Sequence, residues 1–297
     1  MNLLITGAWR NAVQYCDTLK ENAHQIIYMQ NESDALPCDP AWVEGVVCNG
    51  LFLYHDVQAF TSLRYVQLTS AGYDRVPVDE LLQRGVTLKN ARGVYSIPMA
   101  EHAVAAALYF YRNLRFFADN QQNHTWQKDR DLRELNGATV CVIGCGSVGA
   151  ECAKRFAAFG CEVLGLDIDT APKDFFRQIH PIDALNDILG AADVVVLTLP
   201  LTEKTKGLVD EAFLHSLKDG CLLINIARGG IVCTDALITA LSKRRICAAL
   251  DVFEEEPLCG DSPLWSMENV LITPHNSFVS DKTADRLARL ILSGLTE

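Results

Sequence analysis

The chain lacks a C-x-x-C pair, an internal repeat and a low-complexity tract, and no apolar run reaches the roughly 20 residues that a membrane helix needs. Its eleven cysteines are an odd count in 297 residues, so a disulfide framework is not expected. Cys48, Cys141, Cys161, Cys221 and Cys247 stand inside apolar runs, as buried reduced thiols do. Cys141 and Cys145 read as strand and loop positions, not as a ligand pair, and no metal is expected. Positive charge is also short. Lys and Arg number 26 against 37 Asp and Glu, a net charge of −11 that argues against nucleic acid or an anionic membrane as partner. The opening Met1-Asn2-Leu3-Leu4-Ile5-Thr6-Gly7 lacks a basic n-region and reads as a first strand, not a signal peptide. A reducing cytoplasm is the expected setting.

What is present is alternation. Short apolar runs predict strands over 3–6, 25–29, 45–48, 65–68 and 87–89, and then one long helix over 98–119. A second series predicts strands over 139–143, 162–166, 194–198, 221–225, 247–250 and 270–273, with helices over 147–159, 210–217 and 234–241 and a last one over 281–292. This is the βαβ rhythm of parallel sheets, and its two series imply two α/β domains divided at the start of the long helix.

Two motifs carry chemistry. Gly144-Cys145-Gly146-Ser147-Val148-Gly149 is a G-x-G-x-x-G turn between an expected strand and an expected helix. Such glycines let the backbone approach a pyrophosphate, which the N–H groups of the helix start bind. Asp167, at the next strand end, suits the ribose hydroxyls and repels a 2′-phosphate, and Ile168-Asp169-Thr170 offers no arginine to receive one. NAD is therefore expected over NADP. The second motif is a dispersed ionisable set: Arg228, Asp251, Glu256 and His275. Each alone has an ordinary reading, as a turn arginine, part of an acidic run or a loop histidine. Arg228, Asp251 and His275, however, all follow expected strand ends, where open α/β sheets bind ligands.

In Ser70-Ala71-Gly72-Tyr73-Asp74, Tyr95-Ser96-Ile97-Pro98-Met99-Ala100-Glu101-His102, Leu199-Pro200-Leu201-Thr202, Asn225-Ile226-Ala227-Arg228-Gly229-Gly230, Asp251-Val252-Phe253-Glu254-Glu255-Glu256-Pro257-Leu258 and Thr273-Pro274-His275, the chain resembles the D-isomer-specific 2-hydroxyacid dehydrogenase family. The resemblance implies a flavodoxin-like substrate domain over 1–98 and 276–297 and a Rossmann NAD-binding domain over 99–275. It further implies an active site in the cleft between them and a homodimer to which the long helix contributes. Its cofactor residues map onto Gly144, Gly146, Ser147, Val148, Gly149, Asp167, Thr198, Pro200, Ala227, Arg228, Asp251 and His275, with Asp251 meeting the nicotinamide carboxamide. Its substrate residues map onto Ala71, Gly72, Tyr73, Tyr95, Arg228 and His275.

A 2-keto acid needs its carboxylate held, its carbonyl polarised and a proton delivered as hydride arrives. Arg228 suits the first two tasks, His275 is the expected general acid and base, and Glu256 is expected to fix the imidazole tautomer. Glu256 also separates the chain from formate dehydrogenases, which carry glutamine there. Glu254 and Glu255 are expected to be merely solvated. Similar motifs occur in transcriptional corepressors that sense NAD; those carry extra interaction segments, and no spare tail is read here. Asn276-Ser277-Phe278 departs from the small residues usual after the histidine, and Phe278 is expected to narrow the pocket. The largely apolar run from Asn49 to His55 disfavours a phosphorylated substrate, although Arg75 or Arg92 is placed to compensate.

Overall fold

Apolar alternation becomes parallel pairing throughout: each strand described below is hydrogen-bonded in parallel register to its neighbours. The computed structural model describes residues 1–243 and 245–296. The chain forms two compact units, Met1–Tyr95 with Ser280–Glu297, and Ser96–Val279.

The first unit contains β1 (Asn2–Thr6), α1 (Cys16–Glu21), β2 (Gln25–Met29), β3 (Gly45–Cys48), β4 (Tyr65–Leu68), α2 (Val78–Gln83) and β5 (Thr87–Lys89), closed by the carboxy-terminal helix Thr283–Thr296. The strand order β2-β1-β3-β4-β5 is the flavodoxin-like one. Successive residues feed opposite faces, as strand geometry demands. Leu3, Ile5 and Val47 pack with Leu287, Ala288 and Ile291 on one side, and Leu4, Val46 and Val66 pack with Phe60 and Leu81 on the other.

The second unit contains α3 (Ser96–Tyr111), α4 (Leu114–Gln122), β6 (Thr139–Ile143), α5 (Ser147–Ala158), β7 (Glu162–Asp167), β8 (Gln178–Pro181), α6 (Leu185–Leu189), β9 (Val194–Leu197), α7 (Glu211–Ser216), β10 (Leu222–Asn225), α8 (Thr234–Ser242), β11 (Cys247–Leu250) and β12 (Val270–Ile272). Its order, β12-β11-β10-β9-β6-β7-β8, is that of a Rossmann sheet with a seventh strand. The switch point falls between β6 and β9. Strands β9 and β10 are buried along their whole length, the signature of a sheet covered on both faces.

Three expectations are corrected. The helix read over 98–119 is two, because Asn113 adopts φ +47° and breaks the ladder. Asparagine tolerates the left-handed region, and here its amide is pinned by a hydrogen bond to Asp129 Oδ2 (2.8 Å). Strand β8 escaped the reading, being a four-residue edge strand ending in Pro181, which an edge position tolerates. Cys247, read with the buried thiols, is only half-buried, whereas Cys48, Cys141, Cys161 and Cys221 are buried. Helix α7 begins one residue after Asp210 because that side chain caps it, accepting the Phe213 N–H (2.9 Å).

Candidate active site

All strands of the second sheet run parallel, so their carboxyl ends share one edge. Along it stand His275 after β12, Asp251 after β11, Arg228 after β10, Thr198 after β9, the Gly144 turn after β6 and Asp167 ending β7. Residues scattered over 130 positions of sequence are thereby ordered in one row.

The glycine turn has a separate reason at each glycine. Gly144 sits at φ +98° and its N–H donates to Leu166 O (2.8 Å). At Gly149 a Cβ would lie 2.0 Å from Gly144 O, so only glycine lets α5 pack this close to the turn. At Gly146 a Cβ would meet nothing within 4 Å. That open space, beside the first turn of α5, fits a pyrophosphate. Asp167 closes the turn: its Oδ2 accepts the Cys145 N–H (2.5 Å) and its Oδ1 accepts the Asp169 N–H (3.1 Å). Thr198 Oγ1 donates to Gly144 O (2.5 Å), Thr205 Oγ1 donates to Pro200 O (2.7 Å), and the Ser147 hydroxyl pairs with that of Ser96 (2.8 Å). Val148 packs against the unit's core.

Arg228 is presented by a loop that Asn225 shapes. The fully buried Asn225 amide accepts the Ala227 N–H and donates to Arg228 O, both at 3.1 Å. A Cβ on Gly229 would fall 1.8 Å from the carbonyl carbon of Phe253, so this loop meets the one after β11 backbone to backbone. The Arg228 guanidinium, half-buried, donates through Nη1 to Ala227 O (2.8 Å).

His275 and Glu256 meet directly: Nδ1 lies 2.7 Å from Glu256 Oε2, with both side chains about one-third exposed, at 38% and 36%. Glu256 is itself aimed by the Phe253 N–H, which donates to Oε1 (3.0 Å). His275 holds φ +50°, which its N–H helps fix by donating to Asp251 O (2.7 Å). The Phe278 ring stands edge-on to the imidazole at 5.9 Å.

Asp251 is 1% exposed. The Thr273 hydroxyl (2.6 Å) and the Asn276 N–H (2.8 Å) donate to Oδ1, and the Ser277 N–H (2.9 Å) donates to Oδ2. Burial works against its ionisation, but bonds from Ser277, Thr273 and Asn276 outweigh that and hold the carboxyl below its ordinary value. These bonds clamp the loop that carries His275. Because the Thr273 hydrogen goes to Asp251, His102 Nε2, 3.3 Å from that hydroxyl oxygen, must be the donor to it. Glu254 is not merely solvated: its Oε2 accepts the Thr234 N–H (3.0 Å) at the start of α8.

In the first unit, Ala71, Gly72 and Tyr73 form the turn after β4, with Ala71 and Tyr73 exposed. The Ser70 hydroxyl donates to Gly72 O (3.0 Å) and the Asn90 amide to Ala71 O (2.6 Å). The Tyr95 hydroxyl is committed to Thr69 O, and burial pushes that phenol up to about 12. Sequence reasoning gave no role to Asn225, Thr273, His102 or Glu32. The first three lie inside quoted motifs, whereas Glu32 sits in a loop with no signal of its own.

The family model described as D-isomer specific 2-hydroxyacid dehydrogenase, NAD binding domain, matches residues 104–277. The chain belongs to that family. The D-3-phosphoglycerate dehydrogenase of Archaeoglobus fulgidus is 35% identical over 222 residues, covering 74% of this chain and 42% of that protein. The glyoxylate reductase of Korarchaeum cryptofilum is 32% identical over 245 residues, covering 80% of this chain and 74% of that one. A solved structure of a D-isomer specific 2-hydroxyacid dehydrogenase family protein from Aeromonas salmonicida superposes with a TM-score of 0.83 at 32% identity, covering 98% of this chain and 93% of that chain. The chain spans less than half, 42–48%, of the length of curated D-3-phosphoglycerate dehydrogenases that it matches.

Proposed function

We propose that the chain is an NAD-dependent D-2-hydroxyacid dehydrogenase, acting on the CH–OH group of a small D-2-hydroxy acid and reducing the matching 2-keto acid. The observation that carries this reading is the 2.7 Å His275–Glu256 pair, on the sheet edge that also bears Arg228 and the glycine turn. With Nδ1 held by Glu256, Nε2 is the nitrogen left to exchange a proton with the substrate oxygen. Arg228 grips the substrate carboxylate and polarises the carbonyl, two tasks that its planar fork allows. Tyr95 shapes the end of β4, and Asp251 positions the His275 loop. When bound, the nicotinamide supplies or accepts the hydride. Oxidation of NADH by glyoxylate, pyruvate or hydroxypyruvate tests the assignment; no turnover with any of them would favour an NAD-sensing binding protein.

Gly144, Gly146, Ser147, Val148, Gly149, Asp167, Thr198, Pro200, Ala227, Arg228, Asp251 and His275 are the residues that would hold NAD. Asp167 is the selector. We expect NADH to be used at least about tenfold better than NADPH by kcat/KM, and Asp167→Ala to shrink that ratio. Equal use of both by the wild type would remove Asp167 from this role.

The chain works as a homodimer and, in keeping with eleven free thiols, in the cytoplasm. Support for the dimer comes from Trp126, 97% exposed, beside a hollow of about 780 Å³ lined by Phe117, His124, Lys128 and Arg130. An exposed indole of this kind is the usual anchor of an interface. Sedimentation should give twice the chain mass, and Trp126→Asp should shift it toward the monomer.

A further inference from the structure

In a sheet of order β2-β1-β3-β4-β5, the ligand crevice opens between β1 and β3, where the chain reverses its direction of winding. Here that crevice is filled from within. Glu32, half-buried in the loop after β2, accepts the Thr6 hydroxyl (2.7 Å) and the Asn49 N–H (2.7 Å) on Oε1, and the Gly50 N–H (2.7 Å) on Oε2. Thr6 ends β1; Asn49 and Gly50 follow β3. Two successive backbone N–H groups converging on one carboxylate form an anion nest whose anion belongs to the chain. The loop bearing Glu32 is seated by close contact: a Cβ on Gly7 would fall 2.2 Å from Gln30 O. The loop is also tied by the His55 ring, whose Nε2 lies 2.9 Å from Glu32 O.

This crevice adjoins the turn whose residues match the family's substrate residues. Thr69 N–H donates to Cys48 O (2.8 Å), which holds the ends of β3 and β4 level. Neighbouring strands lie about 4.8 Å apart, so the Asn49–Gly50 nest and the Ala71–Gly72 turn leave adjacent strand ends. Asn49 Oδ1, enclosed and without a hydrogen-bond partner among the described residues, adds a second acceptor to the same turn.

We propose that Glu32 is a specificity-determining residue, an internal anion that occupies the nest and rejects 2-keto acids with an anionic tail. Phosphorylated acids are excluded by like charge and because the Asn49 and Gly50 N–H groups are already spent on Glu32. Short uncharged tails, or tails ending in a hydroxyl donor, are accepted. The inference rests on the dehydrogenase reading, and it distinguishes this chain from the phosphoglycerate dehydrogenases it resembles.

The test compares glyoxylate, hydroxypyruvate and 3-phosphohydroxypyruvate with NADH for the wild type, Glu32→Gln and Glu32→Ala. The wild type should favour hydroxypyruvate over its phosphate by roughly 100-fold in kcat/KM, and Glu32→Gln should cut that preference at least about tenfold with glyoxylate nearly unchanged. Efficient use of the phosphate by the wild type overturns the proposal whatever the variants do, as does an unchanged preference in a folded variant. Calorimetry with inorganic phosphate separates the two readings. If no keto acid is reduced, the dehydrogenase assignment fails; Glu32→Ala binding phosphate where the wild type does not still upholds Glu32 as the nest's anion, and no binding by either rejects it.

Discussion

Replacing His275 by alanine is expected to slow both keto-acid reduction and hydroxy-acid oxidation by roughly 10²-fold or more, the usual loss for a general acid and base. The partner substitution, Glu256→Gln, reports the positioning. Oε2 lies 2.7 Å from Nδ1 and so fixes which ring nitrogen faces the substrate; an amide that can present either oxygen or nitrogen there leaves that choice open, and kcat should fall roughly tenfold in both directions with KM little changed. Steady-state kinetics of reduction and oxidation measure this, and a wild-type kcat in a folded Glu256→Gln variant would show that Glu256 does not orient His275.

Arg228→Lys should lower kcat/KM for the keto acid by roughly 30- to 100-fold while cofactor affinity changes little. Lysine keeps the charge but presents one compact ammonium where guanidinium offers a planar fork, so one of two charge-assisted hydrogen bonds is lost. Because the same fork polarises the carbonyl, KM should rise and kcat should fall together. The loop itself is held by Asn225 and Gly229, not by the guanidinium alone, so the variant should retain its melting temperature. Wild-type kinetics in a folded lysine variant would assign Arg228 to structure.

Both expectations depend on residues whose roles were readable to different degrees. Strand ends were legible because burial on two faces leaves continuous apolar runs, as in Val194–Leu197 and Leu222–Asn225. The G-x-G-x-x-G turn was legible because its glycines answer local demands: a positive φ at Gly144 and a missing Cβ at Gly149. The division of the long helix was not, since Asn113 is sterically permitted in either conformation and its choice is made with Asp129, 16 residues away. Nor was the position of Asp251. As a sequence residue it offered a carboxylate to a cofactor; the bonds it accepts from Thr273, Asn276 and Ser277 are made only in the fold.

Local chemistry, then, was enough for the class of sheet, the turn that fits a dinucleotide and the identity of the ionisable side chains, because period, glycine placement and charge are properties of neighbours in the chain. The pairing of those side chains is a property of the fold. Glu256 and His275 lie 19 residues apart and meet because β11 and β12 are adjacent and parallel, so that their following loops leave the same edge. Glu32 reaches Thr6 across 26 residues and Gly50 across 18 for the same reason, at the winding reversal of the other sheet. A carboxylate in a polar loop carries no periodic signal. Whether it is solvated, caps a helix or occupies a nest depends on which backbone N–H groups converge on it, and that is set only when strands distant in sequence come to lie side by side.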